Sequence, residues 1–407
     1  MVQQQQYKQQ QYKQQQKEQH TPETVLVMQS GGSLGAYECG VYKTLARHNI
    51  WFDVISGCSI GSVNSTIIAA SLRNLDKENP DRHESLMESA KKLEDFWLHA
   101  ADNLTPAFLP FKVRSLVSAA NTFIFGHPNA LIPIWFYPGG PLLHNAFTSP
   151  YLYDTIMFRK ILDKTINFGN LRKKEDNNKG SPVLPRLILT CTDIQKSEQV
   201  IFDSNNMDIT SEHVSACIAY PFYGLKWTRI NNRYLWDGAL LNDTPIKAVM
   251  KSSPFREKKI IVSDTFPRRQ ENKLPNNFAE AWHRARDILF VDKSTNEIDA
   301  SNRLKEIFSL VEKLHDIVSG AKIEDEDLKK KVKEIEKDYN NIINKRGCII
   351  NELISIKRNE DEKSEHFLLE DWDFSLATIK ELISQGEKDA EKALQESRDK
   401  KNSKNTI

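Results

Sequence analysis

A chain of 407 residues with 56 Lys and Arg against 55 Asp and Glu, a formal charge of +1, can bury a sizeable core and has no basic excess. Its charges are mixed rather than gathered into basic runs, which sets nucleic-acid binding aside. The five cysteines, Cys39, Cys58, Cys191, Cys217 and Cys348, are odd in number and contain no C-x-x-C, so neither a disulfide frame nor a zinc site is suggested and a cytosolic protein is expected.

Residues 1–22 are a glutamine-rich tail with too few large apolar side chains to offset the entropy of ordering, and are expected to be disordered. No charged-then-apolar leader pattern opens the chain and no apolar run is long enough to cross a bilayer, which leaves at most a peripheral membrane association. Val25 to Met28 reads as a strand that ends at a glycine loop, and Ala36 to His48 as the helix that follows. Phe52 to Ile55 is a second strand, after which Val63, Ile67, Ile68 and Ala70 mark a second helix. This βαβα start implies a mainly parallel sheet covered by helices. Further strands are expected at Arg186 to Cys191, Gln199 to Phe202, Tyr234 to Trp236 and Lys259 to Val262, which puts the end of the sheet near residue 265.

Between Ser115 and Tyr153 there is no Asp, Glu, Lys or Arg, while Phe123, Phe125, Trp135, Phe136 and Tyr137 sit among four prolines. The prolines forbid a spanning helix, leaving either an irregular, buried piece of core or an apolar lid or interfacial surface. Beyond about residue 275 the chain becomes charged and helical. Leu304, Phe308, Val311, Leu314 and Val318 form one apolar stripe, and Leu328, Val332, Ile335, Tyr339 and Ile342 a second. Each is too short for a long coiled coil, so helices packed on a core of their own are expected. The division read from these patterns is a tail at 1–22, a catalytic domain at 23–270 and a charged helical region at 271–407.

The chemistry is carried by Gly57-Cys58-Ser59-Ile60-Gly61, a G-x-S-x-G pentapeptide placed between a strand and a helix. The glycines Gly57 and Gly61 let the chain turn sharply and leave the Ser59 hydroxyl projecting as a nucleophile. Backbone N–H groups of the loop Gly31, Gly32, Ser33, Leu34 and Gly35 are the candidate donors to a developing oxyanion. An α/β-hydrolase triad fails on chain order, because the elbow follows only one βα unit; His213 and His283 are the nearest candidates for its base and neither sits convincingly. A dinucleotide fingerprint on the first loop would need glycines at Ser33 and Ala36, and Cys58 would point away from the exposed tip of the elbow. Asp237-Gly238 alone reads as a turn, but Tyr234 to Trp236 places it at a strand end, where catalytic groups of open parallel sheets gather.

Three segments, Ser30 to Tyr37, Gly57 to Gly61 and Asp237-Gly238-Ala239, resemble in order and spacing the signatures of the patatin-like phospholipases, over roughly residues 23 to 265. Within the family the chain looks most like bacterial-type members with a charged helical extension. The resemblance implies a three-layer α/β/α sandwich with a mainly parallel sheet. It also implies a Ser59–Asp237 dyad without histidine, an oxyanion hole from the Gly31 loop, no metal or cofactor, and a phospholipid or other long-chain acyl ester as substrate. Two positions depart from the family pattern: Ser30 replaces a glycine, and Leu34 a basic residue. The alternative is a catalytically weak member of the same fold whose helices bind a membrane or a protein partner.

Overall fold

The computed structural model describes residues 22–29, 31–78, 81–102, 105–106, 108–127, 130–136, 149–172, 184–252, 257–266, 274–275, 278–290, part of 303–318, 325–345, 350–358 and 370–404. Contacts group the chain into two units. The larger comprises Val25–Pro245, Ile261–Lys293 and Ile354–Ile407, and the smaller Met1–Thr24, Ile246–Ile260 and Ser294–Leu353. Each unit draws on segments from both sides of residue 270.

The elements run β1 (Glu23–Met28), α1 (Gly35–Arg47), β2 (Val54–Cys58), α2 (Ile60–Glu78), α3 (Arg82–Ala100), α4 (Phe111–Phe125), β3 (Ile132–Pro133), β4 (Tyr153–Asp154) and α5 (Ile156–Thr165). They continue with β5 (Arg186–Asp193), β6 (Glu198–Asp203), α6 (Ser211–Cys217), β7 (Thr228–Ile230), β8 (Arg233–Asp237), α7 (Ile246–Ser252) and β9 (Lys258–Asp264). Last come α8 (Phe278–Phe290), α9 (Glu326–Lys345), β10 (Ile350–Lys357) and α10 (Leu376–Lys404). The principal sheet has the order β10-β9-β1-β2-β5-β8-β7, with β6 also paired to β5.

At the centre, β1 pairs parallel with β2 and β2 parallel with β5. All five residues of β2 are buried, as a strand covered on both faces requires. Leu26, Tyr37, Val41, Ile55, Val63 and Leu189 join sheet and helices in one core, and the architecture is the expected α/β/α sandwich.

The sheet does not end near residue 265. Residues 354–357 of β10 belong to the larger unit, and Ile354 and Ile356 are buried. Their two-residue alternation is hidden by the charged composition around them. Helix α10, also from the charged region, packs along α1: Ile379, Leu382, Ile383 and Ala390 are buried, Lys43 pairs with Glu387 at 2.7 Å, and the Tyr37 hydroxyl donates to Asp389 at 3.2 Å. The two expected apolar stripes do not form a core of their own among the described residues, since Leu314, Leu328 and Ile335 are exposed. Leu304, Phe308, Tyr339 and Ile342 lie outside the described side chains.

Candidate active site

Ser59 occupies the one-residue turn between β2 and α2, and its φ is 53°. For a residue with a Cβ this left-handed conformation is strained, and strain of this kind gathers at functional turns. The flanking glycines permit it. A Cβ on Gly57 would lie 2.2 Å from the Gly61 carbonyl oxygen, and one on Gly61 would lie 2.4 Å from that of Gln29. Backbone therefore packs on backbone where α2 leaves the sheet, and the Gly61 N–H donates to the Gln29 carbonyl at 3.1 Å. The Cys58 side chain turns away from this tip, its thiol 3.4 Å from the Asn242 carbonyl; burial pushes the thiol pKa well up, which disqualifies it as a nucleophile.

The glycine loop is a single 3₁₀ turn, Gly32–Leu34, leading into α1. Leu34 N–H donates to the Gly31 carbonyl at 3.0 Å, and Gly35 N–H to the carbonyls of Gly32 and Ser33. These two amides hold the turn, and Gly32 is the loop residue that lines the same cavity as Ser59. Ser30 lies outside the described residues.

A buried polar network that sequence reasoning missed braces this loop. Glu38, fully buried in α1, accepts from the Gln29 N–H at 2.6 Å and from Asn64 Nδ2 at 2.9 Å. Asn64 also donates to the Gly35 carbonyl at 2.9 Å and accepts from Trp97 Nε1 at 3.0 Å. The Gln29 side chain accepts from Thr265 N–H at 2.9 Å and donates to Thr244 at 2.6 Å. Burial pushes the Glu38 carboxyl well above its usual pKa, against the lowering effect of its Asn64 and Gln29 donors.

Asp237 reaches the site by register. Cys58 is level with Thr190 across the β2–β5 pair, and Asp237 is level with Cys191 across β5–β8. Ser59, one residue past Cys58, and Asp237 are thus brought to the same level of the sheet from strands two places apart. β8 runs antiparallel to β5, so the carboxylate does not come from the end of a parallel strand as its sequence context suggested.

The Asp237 carboxyl is fully buried. Its Oδ1 accepts from Ala239 N–H at 2.8 Å and lies 3.9 Å from the Cys58 sulfur, while Oδ2 makes no hydrogen bond of ordinary length. Burial raises its pKa to about 7, against the smaller opposing effects of the Ala239 amide, the Ser59 hydroxyl and Cys58.

His213 is not placed for a triad. His213 is buried and closes a capping box: its Nδ1 accepts from Thr210 N–H at 3.1 Å, and its ring packs edge-on against Phe202. Its pKa is lowered by burial. The His283 side chain lies outside the described residues.

Ser59 opens into an apolar cavity of about 670 Å³, within the size range of ligand sites, walled by residues that include Ile67, Phe96, Phe158 and Ile161. The segment Glu370–Trp372 meets the glycine loop at its edge, and Arg286 holds the buried Asp371 carboxylate at 2.7 Å. The uncharged stretch is divided between core and surface. Ser115, Ser118, Ala119 and Tyr153 are buried, and His127 and Leu131 line the cavity, whereas Phe123, Phe125 and Phe136 are exposed. Residues 137–148, including Tyr137, lie outside the described residues.

An α/β/α sandwich with a strained serine at a strand-to-helix turn, a glycine loop beside it and a buried carboxylate on the same sheet defines a class of serine hydrolase folds. The chain belongs to the patatin-like phospholipase family, whose model matches residues 26–250. Among solved structures it is similar to VipD from Legionella pneumophila, with 12% identity, a TM-score of 0.34, and coverage of 92% of this chain and 67% of that one. No curated protein sequence matches it. Among the described residues no helix is long and apolar enough to cross a membrane.

Proposed function

We propose that the protein is a lipid acyl hydrolase, a phospholipase A or a related carboxylic ester hydrolase, in which Ser59 is the nucleophile and Asp237 its base. The observation that carries this reading is the convergence of Ser59 and a buried Asp237 carboxyl, from distant parts of the sequence, at one level of the sheet. A pKa near 7 makes the carboxyl a far better proton acceptor than an ordinary aspartate, so no imidazole is needed. Ser59 Oγ attacks the ester carbonyl while its proton passes to Asp237. The oxyanion takes N–H bonds from Gly32 and from Ile60 at the start of α2. Collapse expels the alcohol, which recovers the proton from Asp237, and a water activated by the same carboxylate then releases the fatty acid. The loose contact between Ser59 and Asp237 is of the kind that tightens on substrate binding.

A fluorophosphonate probe is expected to label the protein once, on Ser59, and Ser59→Ala to lose labelling together with at least 10³-fold of its ester hydrolysis. Labelling that survives in Ser59→Ala would overturn the assignment. A fully folded wild type that never labels would favour the weakly catalytic, partner-binding reading.

Peripheral binding to membranes is proposed through the exposed ring pair Phe125 and Phe136, 61% and 53% exposed, with ring centroids 6.5 Å apart. Each buried aromatic contributes about 1.5–3 kcal/mol when transferred fully, so losing two half-exposed rings is expected to weaken liposome association by about 10- to 100-fold. Phe125→Ser with Phe136→Ser tests this without touching the cavity wall, and turnover of a soluble short-chain ester should stay within twofold. Trp135 is left intact because it packs edge-on against buried Tyr153 and donates to the Ile124 carbonyl. Equal loss of both activities would identify the rings as structural.

A further inference from the structure

The glycine loop and the serine turn belong to two different βα units, yet the proposed chemistry needs one geometry across both. One oxyanion donor, the Gly32 N–H, precedes α1, and the other, the Ile60 N–H, opens α2. Hydrogen bonds within each helix do not fix one helix start against the other. A tie between the two starts is needed, because misplacing a preorganised donor by a fraction of an ångström costs rate.

Glu38 stands between the two starts. It lies three residues after Gly35 on α1, and Asn64 lies three residues after Gly61 on α2. Both side chains are wholly buried. Two routes lead from the Glu38 carboxyl to the serine turn. Oε1 accepts from the Gln29 N–H at 2.6 Å, and the carbonyl of the same Gln29 receives the Gly61 N–H at 3.1 Å. Oε2 accepts at 2.9 Å from Asn64 Nδ2, which also donates to the Gly35 carbonyl. The Asn64 amide can face only one way: Trp97 Nε1 is a donor and takes Oδ1, so Nδ2 must point at Glu38.

Both of these partners of the carboxyl are neutral N–H donors, and burial disfavours its charge, so as a contribution to stability alone the arrangement is expensive. It sits where the fold holds Ser59 at a φ of 53°, a strain that persists only when the surroundings over-determine it.

We propose that Glu38 is a positioning residue of the hydrolytic site: it ties the start of α1 to the start of α2, sets the separation of the Gly32 and Ile60 donors, and holds Ser59 in its left-handed turn. Its catalytic consequence rests on the hydrolase reading, whereas the tie itself does not. Glu38 is not part of the cavity wall at Ser59, so its loss falls on kcat and on the rate of covalent labelling and leaves KM near the wild-type value.

The test exchanges donor and acceptor across the Glu38–Asn64 pair in the full chain. Glu38→Gln sets one NH2 group against another, and Asn64→Asp sets two carboxylates against each other. In the double variant the new amide donates to the new carboxylate, which still accepts from Trp97. Each single variant is expected to lower kcat and the fluorophosphonate labelling rate about 10- to 100-fold with KM within threefold, and the double variant to recover at least tenfold over the worse single one. Glu38→Asp keeps the charge but shortens the reach by one bond, and is expected to lose as much as Glu38→Gln. Amide hydrogen exchange, read by mass spectrometry over residues 31–40 and 57–66, should quicken about fivefold in both segments together in the single variants and return in the double one.

A merely structural role would lower the melting temperature and the folded fraction but leave the rate per folded molecule unchanged. A folded Glu38→Gln or Glu38→Asp protein that labels within threefold of the wild-type rate, a loss confined to KM, or a double variant no better than the worse single one would overturn the positioning role. The two readings fail separately. A wild type that never labels removes the hydrolase, and the tie then stands if exchange quickens in both segments together and falls if it does not. A wild type that labels normally, with Glu38 variants that match it, removes the positioning role alone.

Discussion

Asp237→Asn is expected to lower kcat by on the order of 10³-fold and, above neutral pH, to raise the melting temperature. The kinetic loss follows from removing the carboxylate that accepts the Ser59 proton in the proposed mechanism. The gain in stability follows from linkage. Burial disfavours the charge and pushes the Asp237 carboxyl up to about 7 in the folded protein, against 3.8 for a free aspartate. Between those values the folded state holds a proton that the unfolded state has released, so wild-type stability falls as pH rises through this window. The penalty is complete above pH 7. Asparagine is neutral throughout and can still accept from Ala239 N–H, so the variant gains nothing near pH 4 and most at pH 8. After allowance for a less than ideal amide fit, the difference at pH 8 is expected to be about 1–2 kcal/mol, or about 1–2 °C in Tm. Thermal melts of both proteins from pH 4 to 8 measure it. In wild type, kcat/KM should rise about tenfold per pH unit to a plateau above pH 7. A melting-temperature gap that does not depend on pH would mean that Asp237 is not the buried acid it is taken to be, and full activity of the variant would exclude it as the base.

The features most legible in the sequence are those whose physical cause is local. The G-x-S-x-G turn can be read because the close backbone approach at Gly57 and Gly61 leaves no room for a Cβ, a constraint written in the identity of two residues. The parallel β1–β2 start is likewise carried by short apolar runs next to their own helices. What could not be read depends on partners far away in the chain. Glu38 looks like an ordinary helical acid, and nothing near it announces that Gln29 and Asn64 meet it in the interior. The antiparallel arrival of β8 depends on a return path that a strand and a turn signal leave undetermined. β10 was submerged because a charged neighbourhood swamps three in-phase apolar positions, Ile350, Ile354 and Ile356, in any compositional average, and α10 because its apolar face is sparse among Lys and Glu. The wall of the cavity at Ser59 is built from α2, α3, α5 and the segment after it, residues whose shared destination exists only in three dimensions.

Gly32→Ala is expected to disable the enzyme almost as completely, through the oxyanion loop alone. Gly32 has φ +56°, and a Cβ there would lie 2.3 Å from the Asp371 carbonyl oxygen and 3.3 Å from the Asp371 Cβ. That neighbour is backbone and cannot rotate away, and the Arg286–Asp371 ion pair holds the Asp371 segment in place. The new methyl must therefore displace the loop. The left-handed conformation adds about 1 kcal/mol of strain for alanine. Gly32 lines the cavity beside Ser59, so a shift of a few tenths of an ångström moves its N–H off the position where charge develops, and loss of one such donor typically lowers kcat about 10²- to 10³-fold. Fluorophosphonate labelling should slow by a comparable factor, since the phosphonyl oxygen needs the same donor, while fatty-acid binding in the apolar cavity stays within a few-fold. Far-ultraviolet circular dichroism and a melting curve establish that the variant is folded. A folded Gly32→Ala protein that labels within threefold of the wild-type rate would show that the glycine loop is not the oxyanion hole, and would leave the N-terminus of α2 to bear the developing charge.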